Sequence, residues 1–239
     1  MNHLSYYQYQ AKARGVTSID DIRRIATERG YFYNRVVLPW LPSDRSSKLV
    51  EIACGHGSFL CWLRDRGYKE TIGIDSSKEQ IALAAQTGTS VELDDAIAWV
   101  AKQPDSSLDA IIAIDFAEHI SKDDFMDFLQ HGHRTLKPGG KIIMRLPNGD
   151  SPFVGMNLFN DITHVWTYTP NCLESLGRMI GFSRFSFDDE GTSCIRDHRW
   201  IKVPLSRISQ YILKLLFVSA AKASPKLWSP HLWVSLERE

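Results

Sequence analysis

Short apolar runs alternate with segments of helical periodicity along residues 48–147. The runs are KLVEIA, TIGID, SVEL, LDAIIAI and KIIMRLP, and most of them are apolar throughout rather than alternating. Strands that are buried on both faces have this pattern, and helical connections between them make neighbouring strands parallel. Two later runs, FSRFSFDD and HLWVSLER, bring the number of predicted strands to seven. The sequence therefore predicts an α/β fold with a doubly wound, mostly parallel, seven-stranded sheet and helices on both faces.

The length of 239 residues and the 44% hydrophobic content are sufficient for one large domain with a proper core. We predict an N-terminal helical extension over residues 1–47, in which Ser18 caps a helix. Its first residues include YYQYQ, which either closes over a bound ligand as a lid or packs as a helix. Residues 48–239 form the main domain, with a helical insertion at about 203–227.

The helical insertion has an amphipathic pattern over residues 205–227. Its apolar stripe includes Leu205, Ile208, Ile212 and Leu215. Such a stripe normally packs on its own domain or on a second subunit, which would give a homodimer. Three lysines, Lys214, Lys222 and Lys226, favour the alternative, which is peripheral contact with a membrane surface.

Charge and cysteine content exclude several classes of protein. Lys+Arg and Asp+Glu are both 28, so the net charge is zero and a dedicated nucleic-acid surface is not expected. The four cysteines have no CxxC spacing, and the polar first ten residues do not look like a secretory signal. We therefore expect a cytoplasmic protein, or one at the membrane periphery, with reduced thiols. No metal site is expected, because the H-x-H of His131 and His133 has no evident third ligand.

A glycine-containing turn, VEIACGHG, follows the first predicted strand and opens a helix. In open α/β sheets this position binds ligands, because backbone N–H groups and the helix N-terminus point at them. The turn is not a G-x-G-x-x-G dinucleotide motif, because Leu60 occupies the third glycine position, and it has no G-K-[ST] of a P-loop. It resembles the acid-x-Gly-x-Gly-x-Gly turn of class I S-adenosylmethionine-dependent methyltransferases, with Ala53 in place of the first glycine.

Four further motifs resemble that family in the same order, over about residues 48–148. They are GIDSS, LDDAIAWV, LDAIIAIDFAEHI and TLKPGGKIIMRLPN. The resemblance implies a Rossmann-like methyltransferase fold, S-adenosyl-L-methionine as cofactor and methyltransferase activity.

The same motifs imply a set of cofactor-binding residues: Glu51, Ala53, Gly55, Gly57, Asp75, Ser76, Asp95, Ala96 and Asp115. Asp75 would accept hydrogen bonds from both ribose hydroxyls. Asp95, or with less support Asp94, would meet the adenine amino group, and Glu51 would hold the ammonium, through water. Asp115 would face the methionine moiety or the substrate.

Methyl transfer to a hydroxyl requires a general base near the carboxyl ends of the strands. Two groups of residues qualify: Asp115, Glu118 and His119 after the fourth strand, and residues 159–170 in the long segment after the fifth. His164 is the first candidate for the base, with Asp161 as its orienting partner, and His119 is the second. Candidate substrate-binding residues are Asn148, Trp166 and Arg145.

The segment after the fifth strand, LPNGDSPF…NDITHVWTYTPNCLESLGRMIGF, resembles a bacterial subset of the family. Many members of that subset are associated with surface-polysaccharide and lipopolysaccharide biosynthesis, which implies a sugar hydroxyl or glycan as acceptor. Two alternatives stay open at this point. One is an O-methyltransferase of a small aromatic or quinone-type metabolite, and the other is a cofactor-binding module without catalysis.

Overall fold

A computed structural model of the chain describes residues 15–189, 202–221 and 225–239. Its helices are α1 (Ile19–Phe32), α2 (Ser58–Asp65), α3 (Lys78–Ala84), α4 (Ala96–Lys102), α5 (Lys122–Thr135), α6 (Gly155–Leu158), α7 (Pro170–Ile180) and α8 (Lys202–Ala221). Its strands are β1 (Leu49–Ile52), β2 (Thr71–Asp75), β3 (Ser90–Leu93), β4 (Leu108–Ile114), β5 (Leu136–Pro147), β6 (Phe182–Asp189) and β7 (His231–Arg238).

The seven strands form one sheet in the order β3-β2-β1-β4-β5-β7-β6. Strands β1 to β5 pair in parallel, whereas β7 lies between β5 and β6 and pairs with both in antiparallel orientation. The predicted α/β, doubly wound and mostly parallel sheet is thus confirmed. The LKPGG segment, which the sequence pattern placed before the fifth strand, is the first part of β5 and contains a register shift against β4.

Both faces of the sheet are covered by apolar helix surfaces. On one face, α4, α5 and α7 contribute a core that includes Trp99, Phe125 and Leu173. On the other face, α1 and α2 contribute Ile22 and Trp62 to a second core. The two cores leave the carboxyl edge of the parallel strands as the place where polar loops collect.

The described part of the N-terminal extension belongs to this second core. Ser18 caps α1, as expected, through a capping box with Asp21. Tyr33 and Val37, in the turn after α1, are buried with Trp62 and Trp233. The segment proposed as a lid, YYQYQ at residues 6–10, lies outside the described residues.

Helix α8 is the helical insertion that the sequence predicted at about 203–227. Its large apolar side chains are mostly exposed: Ile208, Tyr211, Ile212, Leu215, Leu216 and Val218. Phe217 contacts Trp228 with their ring centroids 5.7 Å apart. None of the described helices is both long enough and apolar enough to cross a membrane.

Candidate functional site

The turn after β1 takes the backbone conformation that brings a ligand close to main-chain atoms. Gly55 and Gly57 have φ of 53° and 80°, and a Cβ on Gly57 would lie 3.0 Å from the Cβ of Ala84. Ala53, which stands where the related turns have a glycine, also has a positive φ of 51°. A positive φ costs an alanine roughly 1–2 kcal/mol relative to glycine. The turn nevertheless has a left-handed conformation at Ala53. Gly57 ends the turn as the N-cap of α2.

Asp75 is fixed at the carboxyl end of β2 by main-chain donors. Its Oδ2 accepts from Gly55 N at 2.8 Å, and its Oδ1 accepts from Ser77 N at 2.8 Å. Burial raises the pKa of Asp75, while the N–H groups of Ser77, Gly55 and Ser76 oppose that shift. Ser76 itself is exposed next to the turn. The carboxylate is therefore held in one orientation beside the glycine turn, as a ribose-binding acid must be.

Glu51 is buried in β1 below the same turn. The pKa of Glu51 is raised well above its ordinary value by burial and then by Asp75, although the Leu60 N–H partly stabilises the carboxylate. Its Oε2 is buried and has no hydrogen-bond partner. A buried acceptor without a partner is costly, and a cationic group or a water that serves one would satisfy it. This orphaned oxygen fits the ammonium of S-adenosylmethionine.

Asp95 and Asp94 form the rim of the site beyond Asp75. The backbone N–H of Asp94 donates to the backbone carbonyl of Asp75 at 3.2 Å. This bond joins the rim to Asp75, the predicted ribose-binding residue. Asp95 is exposed and caps α4 by accepting from Ala98 N at 2.9 Å, and Ala96 is the buried first residue of that helix. Asp94 pairs with Lys102 at 2.8 Å, which lowers the pKa of Asp94.

Arg145 has a different partner from the one that the sequence suggested. It is buried in β5, and its Nη1 lies 2.5 Å from both carboxylate oxygens of Asp115. Burial raises the pKa of Asp115, but Arg145, with Arg29 and His231, outweighs it, so the pKa is lowered. Arg145 therefore holds the carboxylate of Asp115. That it also binds substrate stays a prediction. Beside the pair lies a cavity of about 190 Å³ lined by Arg29, Phe32, Tyr33, Arg145 and Trp233.

The two catalytic groups of the sequence analysis meet at one place in the fold. The backbone of Val165 donates to the carbonyl of Glu118 at 2.7 Å. This contact lays the loop after β5 against the turn after β4, and the rings of His119 and His164 have centroids 4.6 Å apart at 62°. We call Glu118, His119 and His164 the histidine cluster.

His119 is oriented by a chain of two hydrogen bonds. Its Nδ1 lies 3.0 Å from Thr163 Oγ1, which in turn donates to Asp161 Oδ1 at 2.6 Å. Because the hydroxyl proton points at Asp161, His119 Nδ1 acts as the donor to Thr163. Burial, reinforced by His164, lowers the pKa of His119 to about 4. Burial raises the pKa of Asp161, but hydrogen bonds from Thr163 outweigh it and lower the pKa.

His164 is oriented by a carbonyl and not by Asp161. Its Nδ1 lies 3.0 Å from the carbonyl oxygen of Leu158. A carbonyl only accepts, so Nδ1 carries the proton and Nε2 carries the lone pair of the neutral ring. The prediction that Asp161 orients His164 is corrected accordingly, since Asp161 acts on His119 through Thr163.

Glu118 completes the cluster from the 3₁₀ turn Ala117–His119. Its side chain is 2% exposed, and its Oε2 has no hydrogen-bond partner. Burial and then Asp115 raise the pKa of Glu118 well above its ordinary value. Glu118 belonged to the first candidate group and Thr163 lay within residues 159–170, but the sequence did not assign a role to either. The trailing E-H-I and the T-H of D-x-T-H were the signals that could have found them.

Asn148 and Trp166 differ in how far they can reach a substrate. Asn148 is fully buried, and its Nδ2 donates to the carbonyls of Leu227 and Ser229, each at 3.1 Å. Its Oδ1 accepts from Asp150 N at 3.1 Å, so the prediction that it orients substrate is corrected to a structural role. Trp166 is 46% exposed, and Lys122 Nζ lies 3.6 Å from its ring centroid.

Comparison with known proteins agrees with this geometry. Residues 50–144 match the family model described as "Methyltransferase domain". No protein of curated function matched the chain.

Solved structures with a similar fold include several methyltransferases. One is a SAM-dependent methyltransferase from Archaeoglobus fulgidus, with a TM-score of 0.71, 21% identity, and coverage of 98% of this chain and 99% of that one. A possible histamine N-methyltransferase from Thermotoga maritima has a TM-score of 0.62, 17% identity, and coverage of 92% and 96%. Phosphoethanolamine N-methyltransferase 2 of Haemonchus contortus, solved with S-adenosyl-L-methionine, has a TM-score of 0.61, 13% identity, and coverage of 87% and 52%.

The matched residues hold the glycine turn, Glu51 and Asp75, whose conformations and unpartnered acceptor fit S-adenosylmethionine. The sheet has the architecture that the sequence predicted for such a cofactor. Residues 50–144 therefore resemble a methyltransferase domain, and the chain as a whole has the fold of the solved S-adenosylmethionine-dependent methyltransferases.

Proposed function

We propose that the chain is an S-adenosylmethionine-dependent methyltransferase that acts on a sugar hydroxyl, in the biosynthesis of a bacterial surface glycan. The observation that carries the proposal is the position of His164. Its ring is oriented by the Leu158 carbonyl, it packs on His119, and it belongs to the loop that rests on the turn after β4. A base that is oriented in this way at the carboxyl edge of the sheet suits an acceptor that must lose a proton.

The chain divides the work of methyl transfer between two groups of residues. When bound, S-adenosylmethionine supplies a methyl group on a positively charged sulfur. Asp75 and Glu51 hold the cofactor in one orientation, which provides the alignment that an in-line transfer needs. His164 Nε2 would accept the proton that the acceptor hydroxyl loses when it takes the methyl group.

Support for a sugar acceptor comes from the loop after β5. Its N-x-x-S-P and D-x-T-H motifs resemble the subset associated with surface polysaccharides. Trp166 presents a partly exposed indole near His164, and aromatic side chains with a few placed polar groups are typical of small-molecule sites.

A small aromatic or quinone-type acceptor is the second candidate, and exposed apolar side chains favour it. They lie in the same loop: Phe153, Met156, Phe159, Ile162 and Val165. An apolar acceptor would cover this surface, whereas a free sugar would leave much of it in water.

The test is a transfer assay with labelled cofactor and two panels of acceptors. One panel contains nucleotide sugars and glycans, and the other contains phenols and quinols. We expect transfer to the first panel, and we expect His164→Ala to reduce turnover by 10²–10⁴-fold while cofactor affinity stays within about twofold. His131→Ala is the matched control, because His131 lies on α5 at its end remote from the cluster. Transfer to the second panel alone overturns the sugar acceptor, and full turnover by His164→Ala overturns the base.

The oligomeric state and the cellular location of the enzyme are also proposals. The exposed apolar residues of α8 support contact with a second copy or with a membrane surface. Lys214 and Lys226 lie in the described residues, and Lys222 lies outside them. A cytoplasmic or membrane-peripheral location suits a glycan pathway. Light scattering and sedimentation with anionic vesicles distinguish the homodimer from the membrane-bound form.

A further inference from the structure

We propose that Glu118, His119 and His164 form a binding site for a divalent transition-metal ion such as Zn²⁺ or Mn²⁺. Each residue offers one ligand atom, and these atoms all lie within 4.8 Å of one another. The residues come from two loops, the turn after β4 and the segment after β5. The sequence did not indicate this set, since the H-x-H on α5 was the only histidine pair with a suggestive spacing.

The carboxylate of Glu118 points independently to a cation. Glu118 is 2% exposed and its Oε2 has no hydrogen-bond partner, so this oxygen is kept out of water without a compensating donor. Buried charges are normally paired or coordinate metals. The charge of Arg145 acts on Glu118, but Arg145 is already paired with Asp115. A metal ion would supply a positive charge directly at Oε2.

Both histidines already have the outer partners that metal-bound histidines require. A ligating imidazole almost always donates its second N–H to a carboxylate, a backbone carbonyl or water. His164 Nδ1 donates to the Leu158 carbonyl. His119 Nδ1 donates to Thr163, which is itself held by Asp161. We therefore place the cation on Nε2 of both rings.

The donor set and its dimensions select the kind of ion. Bond lengths of about 2.1 Å in a tetrahedral site place ligand atoms ~3.4 Å apart, so the most distant pair of ligand atoms has to approach by up to ~1.4 Å around an ion. Two imidazoles and one carboxylate suit Zn²⁺, Mn²⁺ and similar ions, whereas Mg²⁺ and Ca²⁺ prefer oxygen ligands. Three protein ligands leave at least one open position, which is the pattern of catalytic rather than structural sites.

The role of such an ion rests on the proposed function, because it needs a hydroxyl acceptor. In the open position the ion would bind the acceptor oxygen and polarise it. With the ion bound, His164 Nε2 would be a ligand and the hydroxyl proton would leave to solvent water, so the base role of His164 belongs to the metal-free enzyme. Binding of the ion itself does not depend on the acceptor.

The experiment measures metal binding to the full chain without acceptor or cofactor. Protein freed of metal by a chelator and by dialysis is titrated with Mn²⁺ followed by electron paramagnetic resonance. It is then titrated with Zn²⁺ against a chromophoric chelator. We expect one saturable site per chain, no displacement by an equal concentration of Mg²⁺, and affinity reduced at least tenfold in Glu118→Gln and in His164→Ala. His131→Ala should bind as the wild type does.

Glu118→Gln keeps the volume of the side chain and removes a buried charge, so it should fold. Thermal unfolding checks this, and Thr163→Val provides a second variant that leaves all three ligands in place. We expect Thr163→Val to weaken Zn²⁺ about tenfold, because it disconnects His119 from Asp161. No saturable binding, or equal affinity in wild type and Glu118→Gln, overturns the metal site. Saturable binding without transfer to any sugar leaves the metal site standing and overturns the sugar acceptor alone.

Discussion

At the scale of single residues, the candidate site depends most on two buried carboxylates, which belong to Glu51 and Glu118. Glu51 and Glu118 lie at neighbouring strands, β1 and the turn after β4, and each keeps one oxygen without a hydrogen-bond partner. A buried, unpaired acid costs stability, so both positions favour a ligand at the expense of the ligand-free fold. A substitution that removes either charge and keeps the shape of the side chain should separate the effect on ligand binding from the effect on the stability of the ligand-free fold.

Glu51→Gln should stabilise the ligand-free enzyme and weaken its cofactor binding. Burial raises the pKa of Glu51 in the folded state. Wild-type stability relative to the variant is therefore highest at and below the ordinary glutamate pKa, and it falls as the pH rises through the raised value. The Tm advantage of Glu51→Gln should be absent near pH 4 and should grow toward neutral and alkaline pH. Loss of a charged partner should weaken S-adenosylmethionine about 10–100-fold.

The matched control for this prediction is Glu70→Gln, since Glu70 is exposed outside the site. Calorimetric titration with S-adenosylmethionine and thermal unfolding from pH 4 to 9 provide both readouts. If Tm depends on pH in the same way in Glu51→Gln and Glu70→Gln, the charge of Glu51 does not destabilise the ligand-free fold.

At the scale of elements, local sequence patterns predicted where the strands lie, but they did not predict which distant segments contact one another. The apolar runs of β1 to β5 are visible because parallel strands are buried on both faces. The insertion of β7 between β5 and β6 depends on pairing across the chain, and no local periodicity carries it. The contact of His119 with Thr163 spans 44 residues. The sequence pattern therefore predicted two separate catalytic groups, whereas the fold brings them together as one.

Asn148 also shows that sequence patterns do not predict long-range contacts. Its position after β5 indicated a substrate-binding residue. An isolated bridge pairs Asn148 with Tyr168 across the loop. Its amide also bonds the segment before β7. Which atoms are already bonded in the fold decides whether a polar residue is available to a substrate, and the sequence does not contain that information directly.

Asn148→Ala should therefore lower stability and leave acceptor recognition nearly unchanged. The substitution leaves the buried carbonyls of Leu227 and Ser229 without their donor, at a cost of about 1–3 kcal/mol for each unsatisfied group. We expect the unfolding midpoint in urea to fall, while KM for the acceptor at low temperature changes by less than about threefold. A normal midpoint with a KM raised tenfold or more would restore Asn148 as a substrate-binding residue.

The whole molecule places its cofactor turn at the point where the strand order reverses. Strand β1 has β2 on one side and β4 on the other, so the loops after β1 and β4 diverge and leave a crevice at the carboxyl edge. Glu51, Asp75 and Asp115 reach this crevice from three different strands or their ends. A ligand in the crevice therefore bridges elements that belong to three strands.

Because the cofactor would bridge these elements, its binding should stabilise the entire domain. A ligand at 100 times its Kd stabilises the folded state by about 2.7 kcal/mol, and a protein of this size gains about 2–4 °C in Tm per kcal/mol. We expect saturating S-adenosylmethionine to raise the Tm by roughly 5–10 °C in the wild type and in His164→Ala. Asp75→Ala should lose most of the shift, because the carboxylate that orients the turn through Gly55 N and meets the ribose is gone. An undiminished shift in Asp75→Ala would mean that the cofactor binds away from the turn after β1.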